Sequence, residues 1–138
     1  MTEPTKTRKA NPFEKIVAER VSDSKSQIPH FYVTAEADVS KLLKLRSEVN
    51  EASSTESRLS INDFIIAAVA RGLGDFADLN SVWTDGEITT FAAVDIGVVV
   101  STDKGLYIPI LKDLLEKNIH EISGIMSDMA ARANSGKL

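Results

Sequence analysis

Cysteine is absent from this chain of 138 residues, and histidine occurs only twice. Without cysteine there is no disulfide framework, no thiolate metal site, no thiol nucleophile and no Cys-x-x-Cys redox centre. Asp, Glu and His do not cluster at ligand spacings either, so we expect no metal site. This composition suits a reducing compartment.

A basic stripe and a long apolar run are also missing. The formal net charge of -4 is spread along the chain, which argues against binding of a phosphate backbone, and we expect no nucleic-acid partner. No apolar run approaches the roughly 20 residues that span a bilayer, and nothing near Met1 resembles a signal peptide. We therefore expect no membrane segment.

The chain is long enough for one domain of ordinary size. Residues 1–10 are polar and slightly basic. We interpret them as a disordered leader or the remnant of a linker, because a targeting peptide would be amphipathic and rich in arginine. Apolar residues make up 43% of the chain, enough to fill a single core, so residues 11–138 are predicted to form one domain.

Two amphipathic helices are predicted in the first half of the chain. Asn11-Pro12-Phe13-Glu14 combines an N-cap residue, a proline at the first helical position and an acid at the third, and this helix should end near Ser24. Asp38 is predicted to cap the next helix. The polar stretch Ala52–Ser57 predicts a loop.

Two more helices follow. Ser60 to Asp63 resembles a capping box, and the helix after it is apolar nearly all round, which predicts a buried helix that ends at Gly72 and Gly74. Asn118 and Glu121 open the last helix, which presents an apolar stripe, and Gly136 closes it.

The strands are predicted from aromatic and β-branched runs. Ile28–Ala37 is a predicted strand, and Asp85-Gly86 is a hairpin turn. Val94–Val100 predicts a central strand covered on both faces, and Leu106–Leu111 a strand in which Pro109 removes one ladder donor. The element order is mixed α/β, and few elements remain to cover the central strand, so the fold is expected to need more protein, either a C-terminal half or a neighbouring chain.

The residues alone identify no catalytic site. His30 lies in the predicted aromatic strand and is interpreted as a packed or hydrogen-bonded strand histidine. His120 lies on the polar side of the last helix and is interpreted as a surface residue. Neither histidine has an acid and a serine at a spacing typical of a catalytic triad, so the pattern predicts only a soluble α/β domain.

Five segments nevertheless resemble, in order and spacing, the catalytic domain of the dihydrolipoyl acyltransferases, the acyl-transferring subunits of 2-oxoacid dehydrogenase complexes. The segments are SQIPHFYVTAEADVSKLLKLRSEVN (Ser26–Asn50), LSINDFIIAAVARGL (Leu59–Leu73), LNSVW (Leu79–Trp83), VDIGVVVSTDKGLYIPILKD (Val94–Asp113) and EISGIMSDMAARANSGKL (Glu121–Leu138). Five linked segments are far more specific than a single motif. The VVVSTDKGL and SINDFII stretches favour the pyruvate dehydrogenase type.

The resemblance implies an α/β chloramphenicol-acetyltransferase-like two-layer fold, a mixed sheet with helices, incomplete at the C-terminus of this chain. It implies transfer of an acyl group, with acetyl favoured, between dihydrolipoamide and coenzyme A, which is a substrate, without a metal. The lipoyl group would belong to a separate lipoyl domain. The expected assembly is a homotrimer or a hetero-oligomer with full-length acyltransferase core subunits, in a bacterial cytoplasm or a mitochondrial matrix.

The resemblance also implies three coenzyme A contacts: Arg46, Ser60 and, less directly, Ser101. Their chemistry agrees, since a guanidinium suits phosphate and a serine at a helix N-terminus lies beside free backbone N–H groups that favour an anion. From the residues alone, Arg46 could equally be an exposed helix arginine and Ser60 a plain N-cap.

The chain departs from the family at the catalytic motif. The family uses the histidine of a His-x-x-x-Asp-Gly motif to deprotonate the attacking thiol. Thr34 and Ala35 occupy the Asp-Gly places after His30, and Gly124 and Ile125 occupy them after His120. No catalytic residue is therefore assigned. Three hypotheses remain: part of an acyltransferase, a catalytically inactive truncated paralogue that acts as a structural core subunit, or a gene product without function.

Overall fold

The computed structural model describes residues 6–53, 58–103 and 105–137. They fall into two compact units, residues 1–37 and residues 38–138. Residues 1–5 of the predicted leader, residues 54–57 of the predicted loop, Lys104 and Leu138 lie outside the described residues. The second unit contains both helices and short β-ladders, which confirms the predicted α/β class.

From residue 6 onward, the first unit contains one helix, α1 (Pro12–Gln27), which begins where the sequence predicts. Asn11 Oδ1 accepts a hydrogen bond from the Glu14 N–H at 2.8 Å, and the Asn11 N–H donates to the Glu14 carboxylate at 2.8 Å. This capping box satisfies two N–H groups that have no acceptor within the helix. The helix continues three residues beyond the predicted end at Ser24.

The strand predicted at Ile28–Ala37 is not formed. Residues 29–37 carry no regular secondary structure, and Phe31, Tyr32 and Val33 are 86%, 79% and 83% exposed. A β-strand is stabilised by hydrogen bonds to a neighbouring strand, and none of the described residues pairs with this segment. The prediction was wrong because residue types favour extended backbone but do not supply the partner.

The first turn of α1 should be sensitive to acid. Arg8 binds the Glu14 carboxylate through both terminal nitrogens, at 2.7 and 2.5 Å. These bonds, together with the Asn11 N–H, lower the pKa of Glu14 from 4.5 to about 2. A carboxylate whose pKa is lowered by folding contributes stability that is fully present above its unfolded pKa. This stability is lost as the pH falls through its folded pKa. We expect the amide resonances of the first turn to move between pH 4.5 and about 2 in NMR spectra.

Glu14→Gln should abolish this titration, because the amide carries no charge at any pH. Glu19→Gln is the matched control, since Glu19 is an exposed glutamate of the same helix with no hydrogen-bond or ion-pair partner among the residues that the structure describes. First-turn amides of the unaltered protein that stay fixed down to pH 2 would contradict the assignment.

The described residues of the second unit form three helices and six short strands. The helices are α2 (Ser40–Ala52), α3 (Ile61–Asp75) and α4 (Ile119–Ser135), and the strands are β1 (Ser81–Thr84), β2 (Glu87–Thr90), β3 (Ile96–Gly97), β4 (Val100–Thr102), β5 (Gly105–Tyr107) and β6 (Ile110–Leu111). Two 3₁₀ turns, Ala77–Leu79 and Leu114–Glu116, follow α3 and β6.

The predicted caps mark the starts of the helices, with a shift of one residue at α2. Asp38 lies one residue before the N-cap of α2, and its Oδ1 accepts from the Ser40 N–H at 2.9 Å and from the Ser40 hydroxyl at 2.6 Å. Asn118 caps α4 through a capping box with Glu121, and Gly136 ends α4 with a φ of 71°. These three ends are therefore set by short polar side chains and one left-handed glycine.

Helix α3 runs past the two glycines that were predicted to end it, and stops after Asp75. The correction has a packing reason at Gly74, where a Cβ atom would lie 2.6 Å from a methyl group of Leu115. The glycine thus permits close approach of the Leu114–Glu116 turn rather than breaking the helix. The prediction that α3 is buried all round was also wrong: Ile66 and Ala70 are buried, but Ile65 is 52% exposed.

The strands form three antiparallel pairs rather than one sheet with a doubly covered central strand. The β1–β2 hairpin turns at Asp85-Gly86, as predicted, with positive φ at both residues. Along residues 94–100 burial alternates, with the even-numbered residues inward and the odd-numbered ones exposed. This alternation is typical of a strand with one covered face. The prediction that both faces are buried was therefore wrong.

The predicted strand Leu106–Leu111 is divided into β5 and β6. Pro109 lies between them and has no N–H to donate, although its carbonyl accepts from the Val98 N–H at 3.0 Å. The β3–β6 pair then brings Ile96 opposite Leu111. This pairing carries the inward side chains of both segments to the core.

The core of the second unit lies where α3, α4 and the β3–β6 pair meet. The buried side chains that form it are Ile66, Ala70, Val94, Leu111, Leu114 and Ile122. Met126 and Met129 of α4 pack against it, as predicted from the apolar stripe of that helix. The core fixes α3, whose N-terminal end carries the predicted site.

Candidate functional site

Arg46 lies on α2 and is half-buried. Its Nε is inaccessible to solvent and has no hydrogen-bond partner among the described residues. Two other arginines of this unit pair with carboxylates: Arg71 with Asp75 at 3.5 Å and Arg132 with Asp128 at 3.5 Å. A partly buried cation without a partner is costly in a folded protein, and a ligand with negative charge would remove that cost.

Ser60 is the N-cap of α3, as predicted from the sequence. Its hydroxyl oxygen accepts from the Asp63 N–H at 3.2 Å, and its own N–H donates to the Asp63 carboxylate at 2.6 Å. The hydroxyl proton stays available, because Ser60 only accepts in this capping box. The N–H groups of Ile61 and Asn62 have no acceptor within the helix, so this end of α3 can receive an anion.

Asn50 joins Arg46 and Ser60 to one local structure. Its side-chain amide donates to the Leu59 carbonyl at 3.0 Å and accepts from the Leu59 N–H at 2.8 Å. Leu59 immediately precedes Ser60, and Asn50 lies one helical turn after Arg46 on the same face of α2. The sequence reasoning missed Asn50, because its partner is the backbone of Leu59 and no side-chain pattern indicates that contact.

Ser101 lies on another part of the fold. It is exposed on β4, opposite Leu106 of β5. The hairpin of β4 and β5 contacts α4 through β4. The Asn50–Leu59 hydrogen bonds link α2, which carries Arg46, to the residue before Ser60. Within the described residues, none of these bonds involves Ser101.

Neither histidine lies in a catalytic arrangement within the described part of the chain. His30 is exposed, with Nδ1 2.7 Å from the carbonyl of Ile28, and His120 is exposed on α4. The described residues contain no group of three His, Asp or Glu side chains that could hold a metal. Among these residues there is also no helix with the length and apolar character needed to cross a membrane.

A hollow of about 410 Å³ lies beside the β1–β2 hairpin, away from the predicted residues. Leu79 to Val82 and Phe91 to Ala93 line it, together with Asp95. The Asn80 amide donates to the carbonyls of Phe91 and Ala93, at 2.9 Å each. These bonds close the base of the hairpin. The Asn80 amide therefore has a structural role, as the Asn50 amide does.

Sequence comparison identifies relatives over nearly the whole chain. The family described as 2-oxoacid dehydrogenases acyltransferase (catalytic domain) matches residues 2–138. The chain is 43% identical over 124 residues, 90% of its length, to the mitochondrial dihydrolipoyllysine-residue acetyltransferase component of the pyruvate dehydrogenase complex of Dictyostelium discoideum. It is 38% identical over 139 residues, 99% of its length, to the corresponding component of Rickettsia prowazekii.

A third relative is the mitochondrial pyruvate dehydrogenase protein X component of Mus musculus, 37% identical over 129 residues and 94% of this chain. These matches span 19%, 34% and 25% of the relatives' own lengths. The chain therefore corresponds to only a part of each relative.

Solved structures show the same fold. A probable dihydrolipoamide acetyltransferase of Listeria monocytogenes superposes with a TM-score of 0.90 at 32% identity, over 96% of this chain and 58% of that one. The cubic core of a pyruvate dehydrogenase multienzyme complex superposes with a TM-score of 0.87 at 23% identity, over 98% and 57%. The predicted acyltransferase-core fold is thereby confirmed, and the chain belongs to the 2-oxoacid dehydrogenase acyltransferase family, to whose catalytic domain residues 2–138 correspond.

Proposed function

We propose that this chain forms the coenzyme A-binding part of an acyltransferase core. The core would transfer an acetyl group between dihydrolipoamide and coenzyme A in a pyruvate dehydrogenase complex. Support comes from the names of the relatives, which are acetyltransferase components of that complex in bacteria and mitochondria. The lipoyl group would arrive on a separate lipoyl domain, in a bacterial cytoplasm or a mitochondrial matrix.

One observation carries the proposal: the buried Nε of Arg46 has no partner among the described residues. Coenzyme A carries phosphates, and a guanidinium binds phosphate through charge-assisted hydrogen bonds. The Asn50–Leu59 hydrogen bonds hold α2 beside the residue that precedes Ser60. A phosphate near Arg46 could therefore also receive the Ser60 hydroxyl and the first N–H groups of α3. Ser101 stays a further candidate contact on β4.

The chain's own residues bind and orient in this proposal, and they do not activate the thiol. A general base must lie within hydrogen-bond reach of the proton that it removes. His30 and His120 are exposed, and neither lies in a His-x-x-x-Asp-Gly motif. The base is therefore assigned to a part of the catalytic domain that the 138 residues do not contain.

Arg46→Gln should weaken coenzyme A binding by about 10- to 100-fold, the equivalent of about 1.5–3 kcal/mol for a hydrogen bond to a charged group. Isothermal titration calorimetry of the unaltered chain and the variant with free coenzyme A measures the change. The free energy of unfolding should stay the same or rise, because the variant removes a partly buried cation that has no partner among the described residues.

Arg71→Gln is the matched control. Arg71 is an exposed arginine of α3 whose partner is Asp75, and exposed pairs contribute little to stability. It should leave the affinity for coenzyme A unchanged. An equal loss of affinity in both variants would mean that the effect comes from net charge and not from the position of Arg46. The proposal would be refuted if the unaltered chain showed no detectable binding.

The alternative function is that of a catalytically inactive structural subunit of an acyltransferase core. It is favoured by a specific surface of the second unit: Ile61, Ile65 and Val69 lie exposed on α3, at 42%, 52% and 46%. An exposed row of apolar side chains is typical of a protein contact. The partner would be a second copy of this chain or a full-length acyltransferase core subunit.

A further inference from the structure

The Asn50 side chain forms both of its backbone hydrogen bonds with one residue. Its Nδ2 donates to the Leu59 carbonyl at 3.0 Å, and its Oδ1 accepts from the Leu59 N–H at 2.8 Å. Leu59 is only 3% exposed, so its side chain is anchored in the second unit. The amide thus connects α2 to a fixed point just before α3, and we call these two bonds the Asn50 clamp.

The Asn50 clamp acts on the face of α2 that carries Arg46. Residues four apart in an α-helix lie on one face, about 6 Å apart along the axis. The clamp therefore sets the distance of the guanidinium from the Ser60 hydroxyl, which lies one residue beyond Leu59. A cation and an N-terminal helix end that bind one anion together must be held at a fixed separation.

We propose that Asn50 is a positioning residue for coenzyme A: the clamp holds Arg46 and Ser60 at the separation that one phosphate group requires. This inference rests on the proposed function and adds a residue that would not touch the ligand. Asn50 acts through Arg46, so its effect on binding must depend on Arg46. A purely structural asparagine would lower stability in the same way whether or not Arg46 is present.

Asn50→Ala should weaken binding of free coenzyme A by about tenfold in titration calorimetry, because the guanidinium loses its fixed position. Asn80→Ala is the matched control, since the Asn80 amide also makes two backbone hydrogen bonds, to Phe91 and Ala93, at 2.9 Å each. Both variants should shift the urea midpoint of unfolding by a similar amount. Only Asn50→Ala should change the affinity.

A double-mutant cycle makes the dependence on Arg46 measurable. In the Arg46→Gln background, Asn50→Ala should change the affinity by less than about twofold, because no guanidinium remains to be positioned. The same tenfold loss in both backgrounds would overturn the inference, and so would an equal loss in Asn80→Ala.

A readout without ligand separates failure of the inference from failure of the proposed function. The buried Nε–H of Arg46 should give a slowly exchanging NMR signal in the unaltered chain, and Asn50→Ala should accelerate its exchange at least tenfold while Asn80→Ala should not. If this holds but no coenzyme A binds, positioning of Arg46 is supported and coenzyme A is refuted as the ligand. Unchanged exchange in Asn50→Ala overturns the positioning role, whatever the titrations give.

Discussion

Leu111→Ala should lower the free energy of unfolding by about 2–5 kcal/mol, the usual cost of removing a buried leucine side chain. Leu111 is completely inaccessible to solvent and belongs to the core of six buried side chains in the second unit. Small domains have only about 5–15 kcal/mol of net stability. The variant should therefore be partly unfolded at temperatures at which the unaltered chain is folded.

The neighbouring residue provides the control. Ile110 belongs to the same strand, points to the opposite face and is 54% exposed. Ile110→Ala should change the free energy of unfolding by less than about 1 kcal/mol, because surface substitutions usually have small effects. Urea denaturation followed by far-ultraviolet circular dichroism, at one protein concentration, compares the two. Equal losses at both positions would mean that β6 is not the core strand of this unit.

The starts of α1, α3 and α4 were predictable because they depend on residues close in sequence. Asn11, Ser60 and Asn118 each cap a helix, and an acid three residues later returns the hydrogen bond in every case. Side chain and backbone lie within one turn, so the residue types alone determine the geometry. Gly136 and the Asp85-Gly86 turn were predictable for the same reason.

The strands could not be predicted in this way. A ladder depends on where a second strand lies, and Ile28–Ala37 has the residue types of a strand but no pairing within the described residues. The predicted end of α3 was wrong for a similar reason, because Gly74 lies against Leu115, which is 41 positions further along the chain. Sequence patterns report local preference, and these features are decided by distant partners.

The residues of the candidate site also differ in whether local sequence identifies them. Ser60 is identified by its capping box, and Arg46 only by resemblance to a family, since a helix arginine alone has no distinctive local pattern. Asn50 was missed because its partner is the backbone of Leu59, and backbone groups leave no trace in the sequence. Only coordinates show that the amide connects α2 to the residue before Ser60.

The 138-residue chain alone should transfer no measurable acetyl group from acetyl-coenzyme A to dihydrolipoamide. General acid–base catalysis contributes about 10²- to 10⁴-fold to such rates, and His30 and His120 are both exposed and outside the family's motif. A spectrophotometric assay of acetyl-dihydrolipoamide, with a complete catalytic domain as the positive control, measures the rate. Turnover at a few per cent of that control would contradict the assignment of the base to residues outside this chain.

Cosedimentation with a complete acyltransferase core distinguishes the two functions. A structural subunit should cosediment with the core, because the exposed row of Ile61, Ile65 and Val69 would become buried at a subunit contact. Ile65→Glu should then abolish cosedimentation, since burial of an unpaired carboxylate is costly, whereas Glu51→Gln, on the exposed surface of α2, should not. A chain that binds coenzyme A but never enters the core would instead correspond to the substrate-binding part of a longer acyltransferase, whose base lies on the same polypeptide.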